Sequence, residues 1–363
     1  MNILHLMVSG GIGGIEKLMY DYALKSVHKN FFVFIWAAGE IADAMKNSGC
    51  NVIYLNESKN SPIKNFRRIL KICDENKIDV IVEHFSAPVV ILYMHALKKL
   101  RPSLRIYKYA HSDATNMAQV DDLKRNFIYK LIIRYSLNSC DGVIAISNSV
   151  KKSLCEYFQI NDNKILVVYN GVDISKFHKS DSNEIGKTKL IYIGRLIPEK
   201  GVQVIIEAMT YLPDYYNLLI VGDGYYKAKL EQQAKMTYKD IEFLGARGDI
   251  PELLQKADIF VHMPLWKEGF GITVIEAMAA GKVCIVADSG AMREIVEDGV
   301  SGYIIDNKPA SLAQKILDIK NPESLREKAV QRAKFFSIEK FTDILDKQFA
   351  GCWQKEEDKV YGE

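Results

Sequence analysis

Apolar residues along this chain gather in short runs, and between those runs they recur at helical spacing. Residues 3–8, 31–36, 51–55 and 80–83 read as strands. Residues 16–27, with Leu18, Met19, Tyr22 and Leu24 in step, and residues 65–76 read as amphipathic helices. Strands at 105–110 and 142–147 and a helix at 149–158 continue the pattern. The second half repeats it, with strands at 189–193, 217–221 and 241–244 and helices at 201–209, 226–234 and about 250–257. Such alternation predicts parallel sheets covered on both faces by helices. Two sheets joined near residues 170–187 are expected, with the polar stretch 179–184 as the linker.

The most specific pattern lies at residues 257–287. An apolar strand (257–264) leads into Glu268-Gly269-Phe270-Gly271-Ile272, a helix runs from about Thr273 to Gly281, and a second apolar strand follows. A glycine-rich loop opening a helix after a parallel strand is an anion site, because unpaired N–H groups and the helix dipole point into it. Glu268 falls in the loop and Glu276 about one turn inside the helix. Two glutamates at that spacing also arise by chance in helical proteins; the strand–loop–helix–strand context favours a ligand site at the carboxyl end of the sheet.

Composition narrows the class. With 363 residues, 48% of them hydrophobic and 26% charged, the chain suits two globular domains. Its six cysteines form no Cys-x-x-Cys pair, which disfavours a zinc site or disulfide framework and suits a reducing, cytoplasmic setting. The start lacks the basic residues of a signal peptide and reads as a buried strand. No apolar run approaches the ~20 residues of a membrane helix. Charge is uneven: 22 Lys+Arg face 15 Asp+Glu through Asn170, and 26 face 30 beyond it. A basic first half fits an anionic acceptor or anionic lipid. Residues 64–71 and 124–134 interleave Lys and Arg with bulky apolar residues as interfacial helices do, or as surface helices with a core-facing side. A net charge of +3 and the absence of nucleic-acid motifs argue against nucleic acid.

Further blocks stand in a telling order: Gly10-Gly11-Ile12-Gly13-Gly14-Ile15-Glu16, Val168-Tyr169-Asn170-Gly171-Val172-Asp173, Gly194-Arg195-Leu196-Ile197-Pro198-Glu199-Lys200-Gly201, Val221-Gly222-Asp223-Gly224, and Ser289-Gly290-Ala291-Met292-Arg293-Glu294. Together with Glu268-x7-Glu276 they resemble the retaining glycosyltransferases of family 4, over nearly the whole chain and most strongly from about Asn170 to Ile305. The resemblance implies an α/β protein of the GT-B fold, with two facing Rossmann-like domains and an interdomain cleft. Residues 1–172 would form the acceptor domain and 173–340 the nucleotide-sugar domain, with a last helix at about 341–363 crossing back.

It also implies roles. A sugar leaves a nucleotide diphosphate, so positive charge is needed where the diphosphate departs. Arg195 can grip phosphate in a fork and Lys200 supplies a point charge; a solvated basic loop is the plainer reading. Glu276 would take the ribose hydroxyls and Glu268 the donor sugar's hydroxyls, without acting as a nucleophile. Phe270, Gly271 and Ile272 would offer backbone N–H groups. The Gly10–Gly14 loop is neither Gly-x-Gly-x-x-Gly nor a Walker loop, so it is either a plain turn or the family's loop over diphosphate and acceptor, through Gly13 and Gly14. His111, at a strand end, matches the family's active-site histidine, though a lone histidine is more often structural. Asp113 is placed to orient it, His84 is a weaker acceptor-side candidate, His262 should pack under the donor loop and Asp223 should stabilise a turn.

No metal and no other cofactor is expected, since Asp-x-Asp is missing. The expected partners are a nucleotide-sugar donor, UDP-linked ahead of GDP-mannose, a glycan or lipid-linked glycan acceptor of a bacterial capsule, exopolysaccharide or other surface glycan, and an anionic membrane met peripherally. Two alternatives stay open: a nucleotide-sugar 2-epimerase of the same architecture, and a silent nucleotide- or glycan-binding partner.

Overall fold

In a computed structural model of the chain, residues 1–11, 13–55, 61–84, 88–119, 123–179, 188–320 and 322–351 are described. They divide into two compact units: Met1–Gly171 with the segment from Ile338 onward, and Val172–Ser337. Of the expected linker only Lys179 falls among the described residues.

The first unit is built on strands β1 (Asn2–Ser9), β2 (Lys29–Ala37), β3 (Asn51–Tyr54), β4 (Val80–Glu83), β5 (Arg105–Ala110), β6 (Gly142–Ala145) and β7 (Ile165–Val167). They form one sheet in the order β3-β2-β1-β4-β5-β6-β7, every pair parallel. The second unit holds β8 (Thr188–Ile193), β9 (Tyr216–Val221), β10 (Ile241–Gly245), β11 (Ile259–His262), β12 (Val283–Ala287) and β13 (Tyr303–Ile305). Its order is β10-β9-β8-β11-β12-β13, again all parallel. In each sheet the chain order reverses once, between β1 and β4 and between β8 and β11. Ligands of open parallel sheets gather at the carboxyl ends of the strands at such a reversal.

Local chemistry sets the boundaries. The first helix spans Gly14–Lys25 and stops short of residue 27 because Ser26 Oγ and Val27 N both turn to the Asp346 carboxylate, at 2.8 and 3.0 Å. Tyr22 Oη donates to the same carboxylate at 2.6 Å, which fastens the helix Ile338–Ala350 into the first unit. β6 ends at Ala145 rather than 147 because Ser147 caps the helix Asn148–Phe158, accepting from Val150 N at 3.1 Å. The helix Pro62–Glu75 starts on proline and buries Asn65, Ile69, Ile72 and Cys73, one stripe at helical spacing. The helix Leu123–Ser139 buries Ile133 and Leu137, while Phe127, Ile128, Leu131 and Tyr135 stay exposed. It therefore carries apolar residues on two faces, not only on the core-facing one. No helix among the described residues is long and apolar enough to cross a membrane.

Candidate active site

In the second unit, the loops after β8, β11 and β12 converge. After β8 the chain passes through Gly194 and Arg195, and the Arg195 carbonyl accepts from Tyr192 Oη at 3.1 Å. A 3-10 turn, Pro198–Lys200, follows and closes with Gly201 N on the Pro198 carbonyl at 3.1 Å. Gly201 sits at φ +68°, and a Cβ there would lie 1.7 Å from the Met263 carbonyl oxygen. Only glycine lets the two loops approach so closely. Leu265 N donates to the Glu199 carbonyl at 2.8 Å and fixes their register.

That register delivers Lys200 Nζ to Glu268 Oε2 at 2.6 Å, and the same oxygen accepts from His262 Nε2 at 3.1 Å. Burial pushes the Glu268 carboxyl up, but the Lys200 ammonium and His262 outweigh it and hold the group well below the usual carboxylate range. The loop after β12 braces the carboxylate's own backbone. Ala291 N donates to the Glu268 carbonyl at 3.0 Å, and Ser289 Oγ to the Trp266 carbonyl at 2.7 Å. Gly290, at φ +59°, would put a Cβ 2.0 Å from the Glu268 carbonyl oxygen. Lys200 Nζ also stands 6.0 Å from the Trp266 ring centre.

Gly271 then caps the helix Ile272–Ala279, which begins beside this carboxylate. Phe270 is buried edge-on against Phe336, its ring centre 5.8 Å away. Glu276 is buried on the helix. Arg195 is exposed, and its guanidinium makes no hydrogen bond or ion pair among the described residues. Asp223 stabilises its own turn, accepting from Gly224 N at 2.7 Å.

In the first unit, Gly13 is the extended N-cap of the helix Gly14–Lys25, and the Glu16 carboxylate folds back over it: a Cβ on Gly13 would meet Glu16 Oε2 at 2.2 Å. Burial pushes the Glu16 carboxyl up. His111 directly follows β5, as expected. Asp113 does not orient it. Its Oδ1 instead accepts from Thr115 N and Oγ1 at 2.8 and 2.5 Å in an Asx turn, and its Oδ2 meets no partner among the described residues. His111 Nε2 lies 3.0 Å from His84 Nδ1.

The sequence matches decide the family. The family described as glycosyl transferases group 1 matches residues 173–335, and glycosyltransferase family 4 matches residues 12–176. An uncharacterized glycosyltransferase of Methanocaldococcus jannaschii is 30% identical over 73% of this chain and 72% of its own. The chain belongs to the family-4 glycosyltransferases. A longer alignment pairs it with the N,N'-diacetylbacillosaminyl-diphospho-undecaprenol alpha-1,3-N-acetylgalactosaminyltransferase of Campylobacter jejuni, 26% identical over 92% of this chain and 93% of that one. Anabaena HepE, solved with UDP and glucose, superposes with a TM-score of 0.84 at 21% identity, covering 96% of this chain and 99% of that one. Its fold is GT-B, and so is the fold here.

In this glycosyltransferase Arg195, Lys200, Glu268, Phe270, Gly271, Ile272 and Glu276 belong to the second unit, and Gly13, Gly14 and His111 to the first. The motif pattern underrated His262, which is buried under the loop as expected but also bonds to Glu268. It included Gly290 in a matching block but gave it no role, since no spacing announces a positive φ. It treated His84 and His111 as separate candidates, although they are bonded. Among the described residues no group of three His, Cys, Asp or Glu side chains is arranged to hold a metal ion.

Proposed function

We propose that this glycosyltransferase is a retaining enzyme that transfers a hexosyl group from a UDP-sugar to a hydroxyl of a lipid-linked glycan in bacterial surface-glycan synthesis. The observation that carries the reading is the Lys200–Glu268–His262 cluster at the reversal between β8 and β11, with Arg195 exposed on the loop after β8. Arg195 and Lys200 neutralise the departing diphosphate, with Phe270, Gly271 and Ile272 lending N–H groups at the helix start. Gly13 and Gly14, at the start of the first unit's first helix, offer backbone N–H groups to phosphate. Glu276 takes the ribose hydroxyls. Glu268 accepts from the donor sugar's hydroxyls.

Glu268 is a poor nucleophile in this setting, because one oxygen already serves an ammonium and an imidazole. Attack from the face the diphosphate leaves needs no protein nucleophile: the acceptor oxygen bonds to the anomeric carbon, the bond to the diphosphate breaks, and the acceptor proton passes to the leaving phosphate oxygen. Transfer on this reading needs no metal or other cofactor. The Campylobacter relative, by name, acts on a diphospho-undecaprenol-linked sugar, which supports a lipid-linked acceptor. The exposed Leu92, Phe127, Ile128, Leu131 and Tyr135, joined across two helices by Tyr135 Oη on His95 Nδ1 at 3.0 Å, support docking at the cytoplasmic membrane face.

The test is a donor screen. UDP- and GDP-sugars are incubated with the protein, and released nucleotide is measured with and without excess EDTA. Release from a UDP-sugar that survives EDTA is expected. Release only from GDP-mannose would replace the UDP assignment, and Mg²⁺-reversible loss would contradict the metal-free mechanism. Calorimetry with free UDP should show weakened binding in Glu276→Ala and unchanged binding in Glu268→Ala.

A further inference from the structure

Three histidines of the first unit, His5 and His84 buried and His111 half-buried, form one hydrogen-bonded file. His5 lies within β1, His84 directly follows β4 and His111 directly follows β5. His5 Nδ1 stands 3.1 Å from His84 Nε2, and His84 Nδ1 stands 3.0 Å from His111 Nε2. At the far end His5 Nε2 stands 3.1 Å from Asn30 Oδ1. Stacking holds the ring planes: His5 lies on Phe32 with centres 4.8 Å apart, and His111 on Tyr109 at 4.4 Å.

Burial pushes the imidazoles below their ordinary value, His5 to about 4 and His111 to about 3, and His84 down as well. Near neutral pH each ring therefore carries one N–H and one bare nitrogen. Asn30 settles which is which. Its Nδ2 donates to the His28 carbonyl at 3.2 Å, so the amide oxygen faces His5 and needs a donor there. His5 Nε2 then bears the proton, and its Nδ1 must accept from His84 Nε2. His84 Nδ1 must accept in turn from His111 Nε2. The file ends at His111 Nδ1, a bare lone pair that is buried without a hydrogen-bond partner among the described residues.

We propose that Asn30, His5 and His84 are positioning residues that fix His111 as a hydrogen-bond acceptor, so that the enzyme selects a substrate hydroxyl, rather than a carbonyl or ether oxygen, at that nitrogen. The proposal rests on the glycosyltransferase reading above and takes His111, which matches the family's active-site histidine, as a residue that faces substrate. The file does not carry protons away. A proton taken at His111 Nδ1 can travel only to Asn30, whose amide is not a base. The device sets polarity; it is not a general base.

The test begins without ligand. The full chain, ¹⁵N-labelled at histidine, is examined at neutral pH by long-range ¹H–¹⁵N correlation. His5, His84 and His111 should all appear as neutral Nε2–H tautomers; an Nδ1–H His111 would overturn the proposal. Asn30→Leu removes the anchoring acceptor, and His5→Phe removes the next link. In each, His111 should populate the Nδ1–H form. A pure Nε2–H His111 in both variants would overturn the proposal. Nucleotide release is then followed with UDP-glucose, UDP-galactose and UDP-N-acetylglucosamine. For the donor turned over best, Asn30→Leu should raise KM about tenfold, the size of one lost hydrogen bond, while free-UDP affinity stays unchanged. Scrambled tautomers with an unchanged KM would sever the file from substrate reading. A wild type with the expected tautomers that turns over no nucleotide sugar would remove the functional reading, and with it the substrate half of the proposal, while the polarity of the file stood.

Discussion

Lys200 and Glu268 are 68 residues apart in sequence and 2.6 Å apart in space. The contact joins the loop after β8 to the loop after β11, across the point where the sheet order reverses. Gly201 and Gly290 make room for it by letting their loops close on the backbone of Met263 and of Glu268. The site is therefore organised before any ligand arrives: Lys200 and His262 hold Glu268 ionised and occupied, and Arg195 stands exposed on the loop after β8.

Lys200→Ala and Arg195→Ala should each lower kcat by roughly 10²–10³, the scale for losing one preorganised group at a developing anion. Free-UDP affinity should fall less than the rate. Lys200→Ala has a second signature. Because the folded Glu268 carboxyl is held low, its contribution to stability is complete above the ordinary value of 4.5 and is lost as pH falls below it. Without Lys200 the folded value rises and that contribution shrinks, so acid unfolding should begin at higher pH. Urea titrations of both proteins from pH 7 to pH 3 check this; coincident curves would contradict the electrostatic account.

Gly201→Ala and Gly290→Ala should each destabilise the fold and abolish turnover, since the added Cβ would lie 1.7 or 2.0 Å from a carbonyl oxygen at positive φ. The strain is on the order of 1–3 kcal/mol or more for each. Gly248→Ala is the control, because a Cβ there meets nothing within 4 Å. Thermal melts should separate the first two variants from the third.

The histidine file gives the first unit an acid limit. With folded values near 4 for His5 and near 3 for His111 against 6.5 unfolded, the unfolded state binds more protons between those values. Stability should rise with pH up to about 6.5 and fall on acidification, by on the order of 3 kcal/mol for His5 alone. Replacing His5 by Gln should flatten the slope between pH 6.5 and 4. An unchanged slope would mean that His5 is protonated in the folded state.

Much of this architecture was legible in the sequence, for physical reasons. Parallel strands buried on both faces write continuous apolar runs, and tight loops at strand ends write glycine, so β8, β11 and the Glu268 loop could be located from pattern alone. The helix at 124–134 was legible only as a basic–apolar mixture; that Phe127 and Leu131 point outward while Ile133 and Leu137 point inward is a matter of packing. The histidine file was illegible because its links come from β1, β2 and the ends of β4 and β5, and strand neighbours in a parallel sheet leave no trace in spacing. Asp113 misled for the opposite reason: proximity in sequence suggested a partner for His111, while its carboxylate satisfied the adjacent turn.

The exposed apolar residues of the helix Leu123–Ser139, flanked by Lys130 and Arg134, should bind vesicles containing anionic lipid, and salt should weaken the binding because exposed charges are screened over ~10 Å at 0.1 M. Phe127→Glu combined with Leu131→Glu should release the protein while leaving nucleotide release from the donor intact. Equal sedimentation of variant and wild type would remove this helix from membrane docking.

The central claim is that transfer retains the anomeric configuration of the donor, and the configuration of the product tests it most directly. With an α-linked UDP-sugar and a lipid-linked acceptor, the one-bond and vicinal couplings at the anomeric centre of the transferred sugar are read by NMR. An α linkage is predicted, formed at the face the diphosphate vacates. A β linkage would contradict the mechanism, even with every residue of the Lys200–Glu268–His262 cluster in place.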